Sequence, residues 1–152
     1  MNPPTDVGKR ELPPAIRCRF TELYCDELTD PQDLAMVVQG CLRDINEAPI
    51  ADIVSVYLGC RAAAEMTLVD SGGQRPRYTL RSLTRALGAA RAFLDLNFRP
   101  LTRAVFEGFL LSFQTQLDDA GRRYMHAFLR DSLAVPSSQK DMAAPPSRPG
   151  GG

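Results

Sequence analysis

Residues 75–100 read RPRYTLRSLTRALGAARAFLDLNFRP. Leu80, Leu83, Leu87, Ala90 and Leu94 recur every three or four positions, the spacing of one apolar helix face. Thr79 is placed to cap the first turn, and the run Asn97 to Pro100 breaks the pattern. The spacing therefore predicts a helix that starts at Thr79 and stops near Asn97.

The same period continues on both sides. Downstream, Pro100 opens a helix with Phe106, Phe109, Leu110, Phe113 and Leu117 on its apolar side, and Asp118 and Asp119 open another with Met125, Phe128, Leu129 and Leu133. Upstream, Thr29 or Asp30 caps a helix with Pro31 in its first turn and Leu34, Val37, Val38, Cys41, Leu42 and Ile45 at helical spacing. A further helix follows Pro49, with Ile50, Ile53, Val54, Tyr57, Leu58, Ala62 and Met66 on one face, and ends near Asp70 at the turn SGGQRP. Five amphipathic helices bury their stripes most simply as a bundle.

The two ends differ from this middle. The first 30 residues are rich in proline and charge, and their one strand-like run is Arg19 to Cys25, where Phe20, Thr21, Leu23 and Tyr24 favour extended backbone. A single short strand needs partners, and no later segment offers one. After Val135 the chain reads PSSQKDMAAPPSRPGGG, too poor in apolar side chains to offset the entropy of ordering, and a disordered tail is expected.

Composition removes several classes of function. The hydrophobic fraction is 44%, as in an ordinary single domain with a core, and 18 basic residues balance 18 acidic ones. No overall field therefore draws the chain to nucleic acid or to an anionic membrane. Cys18, Cys25, Cys41 and Cys60 lack the close pairing of a zinc site or a disulfide framework and are expected to be reduced, packed thiols. No apolar run approaches the roughly 20 residues of a membrane helix, and the start, MNPPTDVGKR, lacks a signal-peptide core. His126, the one histidine, has no nucleophile or acid in obvious reach. The phosphate loop GxxxxGK[ST] is absent, as is an apolar strand ending in paired acids that would hold magnesium.

Two arginine pairs remain. Arg81 lies in the first turn of the helix capped by Thr79, where the positive end of the macrodipole disfavours a cation, and Arg85 follows one turn later on the same face. Together they suit a bound phosphate, or else they are two exposed arginines. In PPAIRCRF, residues 13–20, Arg17 and Arg19 would point to one side of an extended chain.

Three separated motifs, MNPPTDVGKRELPPAIRCRFTELY, RPRYTLRSLTRAL, and FRPLTRAVFEGF followed by LSFQTQLD, resemble in order the second half of an AAA+ module of the midasin family, the dynein-related ATPases of ribosome assembly. The resemblance runs from Met1 to about Val135. It implies a mainly α fold: a helical AAA+ lid of about five helices over residues 31–135, preceded by residues 1–30 as a remnant of the α/β core with one or two short strands, and followed by a tail over 136–152. It implies Asn2 as sensor 1, Arg19 as the arginine finger with Arg17 as the alternative, and Arg81 as sensor 2 with Arg85 beside it. It also implies ATP with Mg²⁺ in the complete module and none for the isolated chain. The implied partners are neighbouring modules of the same ring, pre-60S ribosomal particles and assembly factors, in the nucleolus and nucleoplasm, without direct contact to nucleic acid or membrane. Pro4 departs from the family's usual alanine, and the start at Met1, inside what the family has as a core strand, suggests a fragment or truncated gene model. The alternative is a non-catalytic helical interaction module that docks onto AAA+ subunits or assembly factors.

Overall fold

The computed structural model describes residues 13–21, 23, 26–46, 48–97 and 100–133. Six helices lie among them: α1 Pro14–Arg17, α2 Pro31–Cys41, α3 Ile50–Met66, α4 Leu80–Asn97, α5 Leu101–Phe113 and α6 Asp119–Ser132. The five long helices begin where the capping and proline signals put them. Asp30 accepts from the backbone N–H groups of Gln32 and Asp33 at 3.0 and 3.2 Å, and Asp118 accepts from Gly121 at 2.7 Å. Each carboxylate thus satisfies donors that a helix start leaves without intrahelical partners. Pro49 and Pro100 occupy the same position for α3 and α5, where a missing N–H costs nothing. At α4, Ser82 Oγ accepts from the Thr79 N–H at 3.3 Å.

Each long helix packs on two others, in the cyclic order α2, α3, α6, α5, α4 and back to α2. The ring closes around Tyr57, Phe109 and Phe113 with Leu34, Leu42, Ile53, Leu83, Leu87, Leu117, Met125 and Leu129, all fully buried. Phe109 and Phe113 stack with centroids 5.1 Å apart, and Tyr57 meets Phe113 edge-on at 6.3 Å. Arginines fasten the ring from outside: Arg61 of α3 donates to Glu27 at 3.1 Å and to the Leu28 carbonyl at 3.2 Å. Arg91 of α4 donates to Asp44 and to the Cys41 carbonyl at the end of α2. Its guanidinium holds the Asp44 carboxyl below the usual carboxylate range.

The expected mainly α fold is therefore present, with two differences. The extended run expected at Arg19 to Cys25 is not seen at its described positions: Arg19 and Phe20 form a turn after α1, with Phe20 N–H bonded to the Arg17 carbonyl. No strand partner exists among the described residues to hold it open, and Glu22, Tyr24 and Cys25 lie outside them. The second difference is on α3, where Met66 is 81% exposed and Ala62 is exposed, while Val56, Cys60, Ala63 and Ala64 are buried. Helix α3 touches both α2 and α6, so its buried face is wider than a single stripe and rotated away from Met66.

Cysteine packing is uneven as well: Cys60 is buried, Cys41 is half-buried and Cys18 is exposed, all as free thiols. The expected tail lies outside the described residues. No helix among the described residues is long and apolar enough to cross a membrane.

Candidate functional site

The position of Arg81 follows from how α4 meets α5. The helices form an antiparallel hairpin, and Gly108 of α5 sits so close to α4 that a Cβ there would lie 2.4 Å from the Ala86 carbonyl oxygen and 2.9 Å from the Ala90 nitrogen. Only a residue without a side chain permits this approach. At the open end of the hairpin, Tyr78 is buried and donates its hydroxyl to the Phe113 carbonyl at 2.6 Å, with its ring 4.5 Å from that of Phe113. The start of α4 is thereby fixed to the end of α5.

The turn before it is held equally firmly. Asp70 Oδ1 accepts from both Gly72 and Gln74 N–H at 2.8 Å, and Gly73 adopts φ +77°, a left-handed conformation that suits glycine. Backbone bonds from Ser71 to Gln116 and from Asp118 to Val69, each 3.2 Å, tie this turn to the α5–α6 connection. One end of the bundle thus gathers the Asp70 turn, the start of α4, the end of α5 and the start of α6.

Arg81 is the second residue of α4 and is exposed, and Arg85 is exposed one turn later. Among the described residues neither makes an ion pair or a side-chain hydrogen bond. Two uncommitted guanidinium groups therefore stand on one helix face whose N-terminal backbone dipole also attracts anions. The sequence-expected pair is brought together here.

The other candidates are placed differently. Arg17 ends α1 and Arg19 lies in the turn after it, both exposed. They do not project from a common extended segment, because residues 14–17 are helical. Asn2 lies outside the described residues. Nothing described brings Arg17 or Arg19 together with Arg81, and among the described residues no three His, Cys, Asp or Glu side chains assemble a metal-ligand set. His126 is half-buried with its ring edge-on to Phe106 at 5.4 Å, which is a packing role. A concavity of about 650 Å³ lies elsewhere, lined by Phe93, Glu107, Leu110, Leu111, Gln114, Thr115 and Arg122, and includes neither Arg81 nor Arg85.

Sequence reasoning missed Tyr78 and Gly108, the residues that orient α4. A glycine inside an otherwise strong helix pattern was the available signal for Gly108. Tyr78 precedes the periodic run and gave none.

Five long helices packed in a ring, with no strand among the described residues, define a helical domain that carries two exposed arginines at the start of α4. Comparison with known families agrees: the midasin AAA lid domain family matches residues 33–135, and the chain belongs to it. Midasin of Dictyostelium discoideum is 41% identical over 135 residues, covering 88% of this chain and 2% of that protein. Midasin of Giardia intestinalis is 35% identical over 142 residues, covering 88% of this chain and 3% of that protein. The chain therefore spans only a few hundredths of the length of these relatives. No solved structure matches it.

Proposed function

We propose that this chain is the lid-bearing part of a midasin-like AAA+ module, with residues 31–135 as the lid and residues 1–30 as the end of the large subdomain. The observation that carries the reading is Arg81: an exposed, uncommitted guanidinium in the first turn of α4, on a helix locked in place by Tyr78 and Gly108. In this reading Arg81 contacts the γ-phosphate of its own module's nucleotide as sensor 2, with Arg85 in support. Arg19, or Arg17, reaches the nucleotide of the neighbouring module as the finger, and Asn2 orients the attacking water as sensor 1. The planar, permanently charged guanidinium suits charge that grows on the phosphoryl oxygens in the transition state.

ATP supplies the transferable phosphoryl group, and Mg²⁺ offsets its charge when both are bound. The described residues contain no ligand set for Mg²⁺, so the metal and the phosphate cradle belong to the part of a module that carries GxxxxGK[ST]. The complete protein would couple hydrolysis, in a ring of such modules, to remodelling of assembly factors on pre-60S particles in the nucleolus and nucleoplasm.

The purified 152-residue chain is expected to show no ATP hydrolysis above background. In a protein carrying several complete modules, Arg81→Ala should lower turnover by about 100-fold, the scale for losing one preorganised donor to transition-state charge. Arg19→Ala should lower it by about 1000-fold there and leave an isolated single module unchanged, because a finger acts across an interface. Full turnover in Arg81→Ala, or equal loss in the isolated module with Arg19→Ala, would overturn the respective assignment.

A further inference from the structure

Arg61, in α3, keeps only 16% of its side chain exposed, and its guanidinium lies over the ring of the fully buried Tyr57, 5.9 Å from the centroid. A charge so far withdrawn from water requires acceptors. Among the described residues both come from one stretch of chain: Nη2 donates to Glu27 Oε2 at 3.1 Å and Nη1 to the Leu28 carbonyl at 3.2 Å. The Leu28 side chain packs against the core, and Asp30 then caps α2. Residues 27–30 are thus held by side chain, carbonyl and cap, although they form no helix or strand.

This contact differs from the other arginine clasp of the bundle. Arg91 and Asp44 are 42% and 58% exposed, and both lie within residues 33–135, the span of the lid family. Open pairs of that kind contribute little to stability. Arg61 is more deeply placed and reaches a stretch ahead of that span. Among the described residues, burial also starts there: residues 13–21, 23, 26 and 27 are exposed, and Leu28 is half-buried. The edge of the packed body therefore falls at the pair of acceptors that Arg61 holds.

We propose that Arg61 is a clasp that fixes the point at which the preceding chain leaves the helical domain, and that it thereby positions the segment carrying Arg17 and Arg19. At about 3.5 Å per residue, the chain from Glu27 back to Arg19 spans at most about 28 Å. With the clasp open, the last fixed point recedes to the Asp30 cap and that reach grows by about 10 Å. A shorter tether raises the effective concentration of a guanidinium at the site it has to meet. The consequence for catalysis rests on the reading of Arg19, or Arg17, as the finger, whereas the clasp itself does not.

The test follows cleavage of the intact 152-residue chain by a glutamate-specific protease. The bond after Glu27 is expected to be cut far more slowly in the folded chain than in a free peptide of the same sequence, because cleavage waits for the clasp to open. Arg61→Ala should speed that cut roughly tenfold, the scale of losing hydrogen bonds to a charged group. Arg61→Lys, which keeps the charge but not the planar fork, should speed it roughly threefold. Cleavage after Glu107, inside α5, should change by less than about twofold in either variant, since it needs a wider opening of the bundle. Equal acceleration at Glu27 and Glu107 would mean a loosened fold rather than a released clasp, and would overturn the proposal. So would cutting after Glu27 at the peptide rate in the unaltered chain, a result that depends on no variant. In a protein carrying several complete modules, Arg61→Ala should lower turnover, and should lower it no further once Arg17 and Arg19 are both alanine. Unchanged turnover, or losses that multiply, would overturn the positioning role. Full turnover with Arg17→Ala and Arg19→Ala together would defeat the finger reading alone, and the clasp stands or falls with the cut after Glu27.

Discussion

Cys60 and Arg81 show what burial does to a polar side chain. Arg81 stays in contact with water. Cys60 is fully buried with its Sγ 3.6 Å from Met125 Sδ, and desolvation of the thiolate pushes the thiol from 9.0 up to about 12. The direction of the linked pH effect follows. Above pH 9.0 the unfolded thiol ionises while the folded one keeps its proton, so stability is lost as pH rises through the unfolded value and on towards the folded one. Unfolding free energies from denaturant titrations should therefore fall between about pH 8 and pH 10 by about 1.4 kcal/mol more in the parent chain than in Cys60→Ala. Parallel pH profiles would show that the thiol ionises equally in both states. The exposed Cys18 should react with a thiol reagent in the native state, while Cys60 should react only on unfolding.

Helices α4 and α5 make the closest pairing in the bundle, and two glycines on them have opposite meanings. Gly88 is exposed in the middle of α4 with nothing within 4 Å of where a methyl would sit, whereas a methyl at Gly108 would meet backbone atoms at 2.4 and 2.9 Å. Gly88→Ala should stabilise the protein by about 0.5 to 1 kcal/mol through helix propensity. Gly108→Ala gains the same propensity but forces the helices apart, an overpacking cost of about 1–3 kcal/mol or more. Thermal or urea unfolding should show the two changes with opposite sign. Destabilisation by both would mean that Gly88 is not in open space, and stabilisation by both would mean that the crossing is looser than described. The crossing sets the height and rotation at which α4 holds Arg81 and Arg85, and so bears on the function proposed for them.

The cyclic packing of α2 to α6 makes the bundle one cooperative body, since no long helix buries its stripe without two neighbours. Helix α1 differs: it has four residues, none of them buried. Amide exchange should therefore be slowest in the buried faces of α3, α4 and α5, and near the unprotected rate over residues 14–20. Slow exchange over 14–20 matching that of the core would show α1 docked in solution, and would change how Arg17 and Arg19 are presented. The same division separates the arginines: Arg81 and Arg85 ride on a packed scaffold, while Arg17 and Arg19 lie in and just after a short helix with no buried residue.

The five long helices were legible from the chain alone, because capping residues, prolines and a three-to-four-residue apolar period are local signals that act within one or two turns. The place of Arg81 in the first turn of α4 was legible for the same reason, since the cap before it is a local signal. The face that α3 buries, the turn at Arg19 and Phe20 in place of an extended run, and the pinning of residues 75–78 were not. Each depends on which surface arrives from a distant part of the chain: α2 and α6 rotate the buried face of α3, Phe113 receives the Tyr78 hydroxyl, and Ala86 and Ala90 require the bare backbone of Gly108. Local pattern determines where helices start and stop, but contacts between residues tens of positions apart decide which way their side chains face.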